Sequence, residues 1–196
     1  VTLFMFVDFN TISPGANDNL TGTYAAVCAL RMLDMAGVDF ENTEVCAMIT
    51  DGEEAGLRGC KSWAKNHYDE YVNSGVETVV LCVDTLTDRE YLRVYNKDMT
   101  GTVKNNQQFS QLVMDASKDA GHDDIELSSV FFGSSDAAAF SQAGITATCL
   151  AAMDPRPADY YHNRRDTADR LVPETIKTGF DVIISTILNF DEKGLN

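Results

Sequence analysis

Five acidic or imidazole side chains stand just past the ends of apolar, strand-like segments of this chain. They are Asp18, Glu53, Glu54, Asp84 and His162. Carboxylates together with one imidazole suit zinc, manganese or cobalt as bound metals. In an open α/β sheet, ligands bind at the carboxyl ends of the strands. The pattern therefore predicts a metal site at one edge of such a sheet.

Each of these residues also has an ordinary structural explanation. Glu53 and Glu54 precede a predicted helix, whose macrodipole favours acidic residues in its first turn. Asp18 can cap a helix, Asp84 can end a strand in a turn, and His162 can be a hydrogen-bonded surface histidine. Against this, two adjacent carboxylates cannot point the same way, so one can bind a metal while its neighbour acts as a general base. Their shared position at one sheet edge favours the metal site.

The alternation of strands and helices predicts one α/β domain over residues 1–196 with a largely parallel, doubly wound sheet. Apolar runs predict strands at 1–7, 44–50, 78–83, 91–95, 129–132 and 145–151. Helical spacing and capping residues predict helices at 20–35, 55–71, from Asn105 or Asn106 to Gly121, at 136–143, and from Pro173 onward.

Composition limits the partners of this domain. The chain has 196 residues, a net charge of -15 and a pI of about 4.4, which argue against nucleic acid and anionic membrane surfaces as partners. No apolar run is long enough to span a bilayer. The five cysteines are odd in number and show no CxxC spacing, so we expect a reducing, cytoplasmic location. Because the chain begins with Val1 rather than Met, we expect upstream sequence to be absent.

Several motifs carry a family resemblance that covers nearly the whole chain. SPGANDNLTG, TDGEEAGLRGCKSWA, VLCVDT, GSSDAAAFSQAGITA and YYHNRRDT occur in this order. Together they resemble the co-catalytic, di-zinc aminopeptidase family, which includes bacterial leucyl aminopeptidases and, more distantly, glutamate carboxypeptidase and glutaminyl cyclase. The resemblance implies a three-layer α/β fold of the zinc-exopeptidase type, with a mainly parallel, mixed sheet flanked by helices.

The resemblance also implies a role for each residue of the predicted site. Asp18 resembles the carboxylate that bridges two metals, Glu54 and His162 resemble the other ligands of one metal, and Asp84 resembles a ligand of the second. Glu53 resembles the general base that takes a proton from the water that attacks the peptide carbonyl. The family's recurring positions at Asp136 and Asp166 are assigned to supporting or structural roles, and His67 and His122 to structural or solvated ones.

One stretch departs from the family pattern. The family carries His-x-Asp before the bridging loop, whereas this chain has Asp8 and Asn10 at the matching positions. Asp8 can coordinate through oxygen, but an all-carboxylate second site suits Mg²⁺, Mn²⁺ or Ca²⁺ better than zinc. We therefore predict one tight zinc site, at Asp18, Glu54 and His162, and an altered second site.

The leading hypothesis is a metal-dependent exopeptidase, most simply an aminopeptidase that hydrolyses small peptides with Glu53 as general base. Zinc is the expected metal, with Mn²⁺, Co²⁺ or Mg²⁺ as alternatives. The competing hypothesis is a weakly active or non-catalytic family member that binds metal or peptide, because Asp8 and Asn10 replace the usual pair. Oligomeric state, side-chain preference, and the choice between amino- and carboxypeptidase stay open.

Overall fold

The structure, a computed structural model, describes residues 12–156 and 158–195. The predicted strand at 1–7 and the positions Asp8 and Asn10 lie outside the described residues. The helices are α1 (Gly22–Met35), α2 (Arg58–Tyr71), α3 (Gln107–Asp119), α4 (Asp136–Gln142) and α5 (Pro173–Lys193). The strands are β1 (Val79–Asp84), β2 (Leu92–Asp98), β3 (Val103–Lys104), β4 (Leu127–Ser129) and β5 (Thr146–Ala152). Single turns of 3₁₀ or π helix occur at Ala16–Thr21, Arg89–Tyr91 and Ala168–Arg170.

The five described strands form one mixed sheet. Strand β1 pairs in parallel with β5, and β5 pairs antiparallel with β2. Strand β2 in turn pairs antiparallel with β3 and in parallel with β4. The register places Asp84 opposite Ala151 and Leu92 opposite Ala152, so the ends of β1 and β5 and the start of β2 share one edge.

Two apolar cores lie on opposite faces of the sheet and make the fold three-layered. Alternation along β5 divides its side chains between them, because successive residues of a strand point to opposite faces. Ala147, Cys149 and Ala151 belong to the core beneath α2 and α4. Leu150 and Ala152 belong to the core that α1, α3 and α5 cover. The mixed sheet flanked by helices is thus confirmed.

Local signals account for where several helices begin. The Asn106 side chain accepts a hydrogen bond from the Phe109 amide and caps α3, as its residue type predicts. Pro173 opens α5, where its missing N–H costs nothing. Helix α2, however, begins at Arg58 rather than at residue 55, because Leu57 has a left-handed backbone (φ 59°) that a helix cannot include.

Two predicted strands differ from the structure. Residues 44–50 carry no strand assignment and pair with no described strand, so the strand predicted there is absent from the described part of the sheet. Their apolar content serves packing instead, since Met48 contacts the core beneath α2 and α4. The predicted strand at 129–132 ends early, because β4 spans Leu127–Ser129, and Phe131 and Phe132 are exposed in the loop that follows.

Within the described ranges, we find no helix that combines the length and the apolar character needed to cross a membrane.

Candidate metal centre

The carboxyl end of β1 supplies the floor of the site. Asp84 is the last residue of this strand, and its Oδ1 atom is buried without a hydrogen-bond partner among the described residues. The Thr85 carbonyl accepts a hydrogen bond from the Ala152 amide (2.7 Å), which ties the end of β1 to the end of β5. An unsatisfied buried carboxylate oxygen costs free energy unless a proton or a cation compensates it.

Asp18 is positioned by a loop that is hydrogen-bonded from two sides. The buried Asp166 carboxylate accepts hydrogen bonds from the amides of Asn17 (2.8 Å) and Asp18 (3.0 Å). The Asn19 side chain donates to the Val83 carbonyl of β1 (2.9 Å), which joins the loop to the sheet edge. This loop runs directly into α1, so helix, strand and loop fix the Asp18 backbone together.

The close approach of α1 to the sheet depends on a glycine. A Cβ atom at Gly22 would lie 2.3 Å from the Val83 carbonyl oxygen, well inside contact distance. The Gly22 amide also donates to the Asn19 side chain (3.0 Å). Only glycine lets the start of the helix lie this close to β1, and the Asp18 loop takes its position from that approach.

Asp18, Glu54 and His162 converge on one point. His162 Nε2 lies 3.0 Å from Asp18 Oδ2 and 2.8 Å from Glu54 Oε1. One donor atom from each of the three residues lies within 4.8 Å of the others. The Tyr161 ring stacks on the His162 ring with centroids 3.7 Å apart, and the His162 backbone is left-handed (φ 54°). Such strained backbones recur at functional sites because the surrounding structure must hold them.

Excess negative charge perturbs the ionisable groups of this centre. Burial is the main reason that the pKa of Glu53 rises to about 8, with Glu54, Asp136 and Asp18 adding repulsion. Burial, followed by repulsion from Asp18 and Glu53, holds the pKa of Asp84 well above its usual range. The described residues around the site therefore supply too little positive charge to balance its carboxylates.

His162 responds to the same field in the opposite sense. Burial alone would lower the pKa of His162, but hydrogen bonds to the Asp18 and Glu54 carboxylates outweigh it and raise the pKa to about 10. In the metal-free protein an imidazolium thus holds the two carboxylates together. A divalent cation would take the place of that proton, since neutral imidazole and carboxylates are its preferred ligands.

The donor set fits a divalent metal on observations of the described residues alone. Three ligand atoms already converge, and the unpartnered Asp84 oxygen lines the same cavity of about 70 Å³. Glu53 lines this cavity too, next to the ligand Glu54. The structure thus brings together five of the predicted site residues, while Asp8, the sixth, lies outside the described part of the chain.

The two aspartates given supporting roles lie next to the predicted site. Asp166 holds the Asp18 loop through the two amide hydrogen bonds described above. Asp136 accepts a hydrogen bond from the Thr50 hydroxyl (3.1 Å) through Oδ2, and its Oδ1 is buried without a partner among the described residues. Asp136 is also among the charges that raise the pKa of Glu53, so it acts on the proposed base through space.

Sequence reasoning missed several residues of the cavity wall. They are Thr85, Asp88, Phe132, Met153, Asp154 and Tyr160. Thr85 and Asp88 follow the ligand Asp84 closely in sequence, and Tyr160 precedes His162 by two residues. Their nearness in sequence to predicted ligands could therefore have identified these three residues. Phe132 and Met153 are distant in sequence from the predicted ligands and line the cavity only because of how the loops fold.

An α/β fold with carboxylates and one imidazole that converge beside the carboxyl end of β1 fits the class of α/β metalloproteins. Comparison with known proteins narrows the class further. The family model described as peptidase family M28 matches residues 5–187, and the chain belongs to this family.

Individual relatives agree with this assignment. Aminopeptidase YwaD of Bacillus subtilis (strain 168) is 27% identical over 194 residues, which cover 89% of this chain and 37% of YwaD. Among solved structures, BSAP, a zinc aminopeptidase from Bacillus subtilis, superposes with a TM-score of 0.70 at 24% identity, over 89% of this chain and 42% of BSAP. LapB from Legionella pneumophila gives a TM-score of 0.76 at 16% identity, over 97% of this chain and 50% of LapB. The fold is thus that of zinc aminopeptidases, and the chain spans half or less of these relatives' lengths.

Proposed function

We propose that this chain is the catalytic part of a zinc-dependent aminopeptidase that acts on small peptides. The observation that carries the proposal is the convergence of Asp18, Glu54 and His162 on one point, with Glu53 in the same cavity. Membership of the M28 family and similarity to YwaD and BSAP support the choice of reaction and metal.

Asp18, Glu54 and His162 would hold the zinc ion, and Asp84 would serve a second, altered site together with Asp8. Zinc, when bound, polarises a carbonyl group and makes a water molecule a better nucleophile. The carboxylate oxygens and the neutral imidazole form the mixed O and N set that zinc accepts. Because the second site would be all carboxylate, Mg²⁺ or Mn²⁺ would suit it better than zinc.

Glu53 would act as the general base. Its position next to Glu54 in sequence leaves it in the cavity while its neighbour contacts His162. In the metal-free protein, burial and the neighbouring carboxylates raise the pKa of Glu53 to about 8, and a bound cation would lower this pKa and leave the carboxylate ionised and able to accept a proton. It would remove a proton from the attacking water and then pass that proton to the leaving amine, so that no net proton remains on the residue.

Asp8 and Asn10 replace the family's His-x-Asp pair, and this replacement supports a second candidate function, that of a weakly active or non-catalytic family member. In this case zinc would bind at Asp18, Glu54 and His162 without efficient turnover. Restoring the family residues with Asp8→His and Asn10→Asp together would then raise zinc content and activity. If the double variant changed neither quantity, these two positions would not be the defect.

The test of the proposed function compares zinc content and hydrolysis of leucyl-7-amido-4-methylcoumarin in wild type and Glu53→Gln. The glutamine keeps the shape of the side chain but cannot accept the proton. We expect unchanged zinc content and a fall in kcat of at least about 100-fold, the usual contribution of a general base. Glu70→Gln, an exposed glutamate on α2, is the control and should keep full activity. Full activity in Glu53→Gln would overturn the mechanism.

A further inference from the structure

One wall of the cavity contains acidic and hydroxyl groups that the proposed reaction does not use. Thr85 and Asp88 follow the ligand Asp84 on the same segment, and Tyr160 faces them from the loop before His162. The Tyr160 hydroxyl donates a hydrogen bond to Asp88 Oδ2, and the Asn17 side chain donates to the Tyr160 hydroxyl (3.4 Å). This hydrogen-bonded chain orients the Asp88 carboxylate at the cavity wall.

Thr85 adds an independent sign that a ligand belongs here. Its side chain is 8% exposed, yet its Oγ1 has no hydrogen-bond partner among the described residues. Its backbone is left-handed (φ 41°), which is uncommon for a β-branched residue. Buried hydroxyls are normally hydrogen-bonded, and strained backbones that persist next to a cavity are typical of binding sites.

Asp88 has no ion-pair partner among the Lys and Arg residues of the described ranges. Arg89 pairs with Asp124. The Arg170 guanidinium lies 5.6 Å from the centroid of the Tyr160 ring, but it pairs with Asp159 (2.8 Å) rather than with Asp88. Burial raises the pKa of Asp88 above its usual value, although the hydrogen bond from Tyr160 opposes this rise. A cation supplied by a ligand would offset the free-energy cost of burying the negative charge of Asp88.

A second carboxylate, Asp154, lines the same cavity and adds to the negative potential at Asp88. It is partly satisfied, since its Oδ1 accepts a hydrogen bond from the Arg156 amide (2.7 Å) and the Arg156 side chain lies in its field. Asp88 is therefore the principal anion of the wall, and Asp154 strengthens its field.

The remaining wall is apolar and suits an aliphatic stem. Met153 and Phe132 line the cavity beside the acidic groups, and Phe132 is 73% exposed at its rim. Lysine and arginine both combine an apolar stem with a cationic head.

The segment that carries Asp88 is also held rigidly. The Leu86 amide donates to Thr21 Oγ1 (3.1 Å), the Thr87 amide donates to Asn17 Oδ1 (3.1 Å), and the Thr87 hydroxyl accepts from the Val172 amide (2.6 Å). A charged group on a fixed segment selects a ligand more strongly than one on a mobile loop, because little ordering entropy is lost on binding.

We propose that Thr85, Asp88 and Tyr160 form a subsite for the cationic side chain of an N-terminal lysine or arginine, so that the protein selects peptides with a basic first residue. The inference rests on the proposed aminopeptidase function, whose site it extends. Asp88 pairs with the ammonium or guanidinium group, the Thr85 hydroxyl accepts one of its N–H groups, and Met153 and Phe132 contact the stem.

The test is calorimetric binding of lysinamide and norleucinamide to the zinc-loaded protein. The two ligands share an α-ammonium group and a four-carbon stem, so they differ only in the side-chain cation. Wild type should bind lysinamide at least about tenfold more tightly, which corresponds to about 1.4 kcal/mol. Asp88→Asn, which can still accept the Tyr160 hydrogen bond, should abolish this preference. Glu90→Gln removes the same charge at an exposed position outside the cavity and should preserve it.

Each other outcome overturns the subsite. Equal affinity for the two amides in wild type, binding of neither, or a preference that survives Asp88→Asn would each contradict it. Hydrolysis of the lysyl and norleucyl amidomethylcoumarins then separates the two proposals. A binding preference without hydrolysis of either substrate would refute the aminopeptidase function and support the cation subsite. Hydrolysis of both substrates without a binding preference would support the aminopeptidase function and refute the cation subsite.

Discussion

The Asp166 carboxylate allows a prediction about how the metal-binding loop is held. Its two oxygens accept hydrogen bonds from the amides of Asn17 (2.8 Å) and Asp18 (3.0 Å), and the side chain is 1% exposed. Asp166→Asn preserves the volume but supplies only one acceptor oxygen. The new amide group would face a backbone N–H, so one donor would lose its partner.

The loss of stability caused by Asp166→Asn can be calculated from these two hydrogen bonds. A hydrogen bond to a charged group contributes about 1.5–3 kcal/mol, and a buried donor left unsatisfied costs about 1–3 kcal/mol. Keeping one neutral hydrogen bond offsets part of this loss, which leaves a decrease of about 2–4 kcal/mol in the free energy of unfolding. For a chain of this size that corresponds to a fall in Tm of roughly 4–16 °C.

Circular dichroism melting of the metal-free protein, followed by zinc titration, tests this reasoning. Asp166→Asn should melt earlier and bind zinc about 10–100-fold more weakly, since groups that orient a metal ligand commonly contribute that much. Asp159→Asn is the control, because Asp159 forms only exposed ion pairs with Arg165 and Arg170 and should cost less than about 1 kcal/mol. If Asp166→Asn melted within about 1 °C of wild type, the two amide contacts would not hold the loop, and the reasoning would fail.

Three further outcomes follow from the same geometry. In the metal-free protein the pKa of Glu53 rises from 4.5 to about 8 and that of His162 from 6.5 to about 10, so the folded state binds more protons in both windows. Stability should therefore decrease as pH rises from about 5 to 9, and a Tm that increased over this range would contradict the assignment. Gly22→Ala places a Cβ atom 2.3 Å from the Val83 carbonyl oxygen. It should lower the free energy of unfolding, measured by urea titration, by about 1–3 kcal/mol. An unchanged urea midpoint would show that α1 can move away from β1 without a loss of stability. In the same assay, Asp98→Asn should lower the free energy of unfolding by at least about 3 kcal/mol. The reason is that this fully buried carboxylate accepts hydrogen bonds from the Ser134 and Ser135 hydroxyls and from two backbone amides. A variant as stable as wild type would refute that role.

Much of the metal centre could be predicted because its residues stand where the chain pattern is strongest. Asp84 ends a continuous apolar strand, and Glu53 and Glu54 are adjacent before a helix, although the strand predicted before them is absent from the described sheet. Asp18 and His162 lie in polar loops, and the family motifs around them supplied what periodicity could not. Asp8 stays a prediction, because it lies outside the described residues.

What could not be predicted depends on contacts between distant segments. The apolar run at 44–50 resembles a strand, but pairing requires a neighbouring edge that the pattern of a single segment does not reveal. Leu57 carries no signal for a left-handed backbone, so the start of α2 was placed too early. Thr85, Asp88 and Phe132 meet only because the 84–88 segment and the loop after β4 pass the same cavity, which is a property of tertiary packing.

The measurement that tests the central claim most directly is the zinc content of purified wild type, His162→Ala and His122→Ala after dialysis against low-micromolar zinc. His122 contacts Asp181 away from the cavity and serves as the matched control. Wild type and His122→Ala should each retain at least about one zinc ion per chain, and His162→Ala should retain much less, because metal affinity depends on the full ligand set. If His162→Ala kept as much zinc as wild type, the centre formed by Asp18, Glu54 and His162 would not be the metal site.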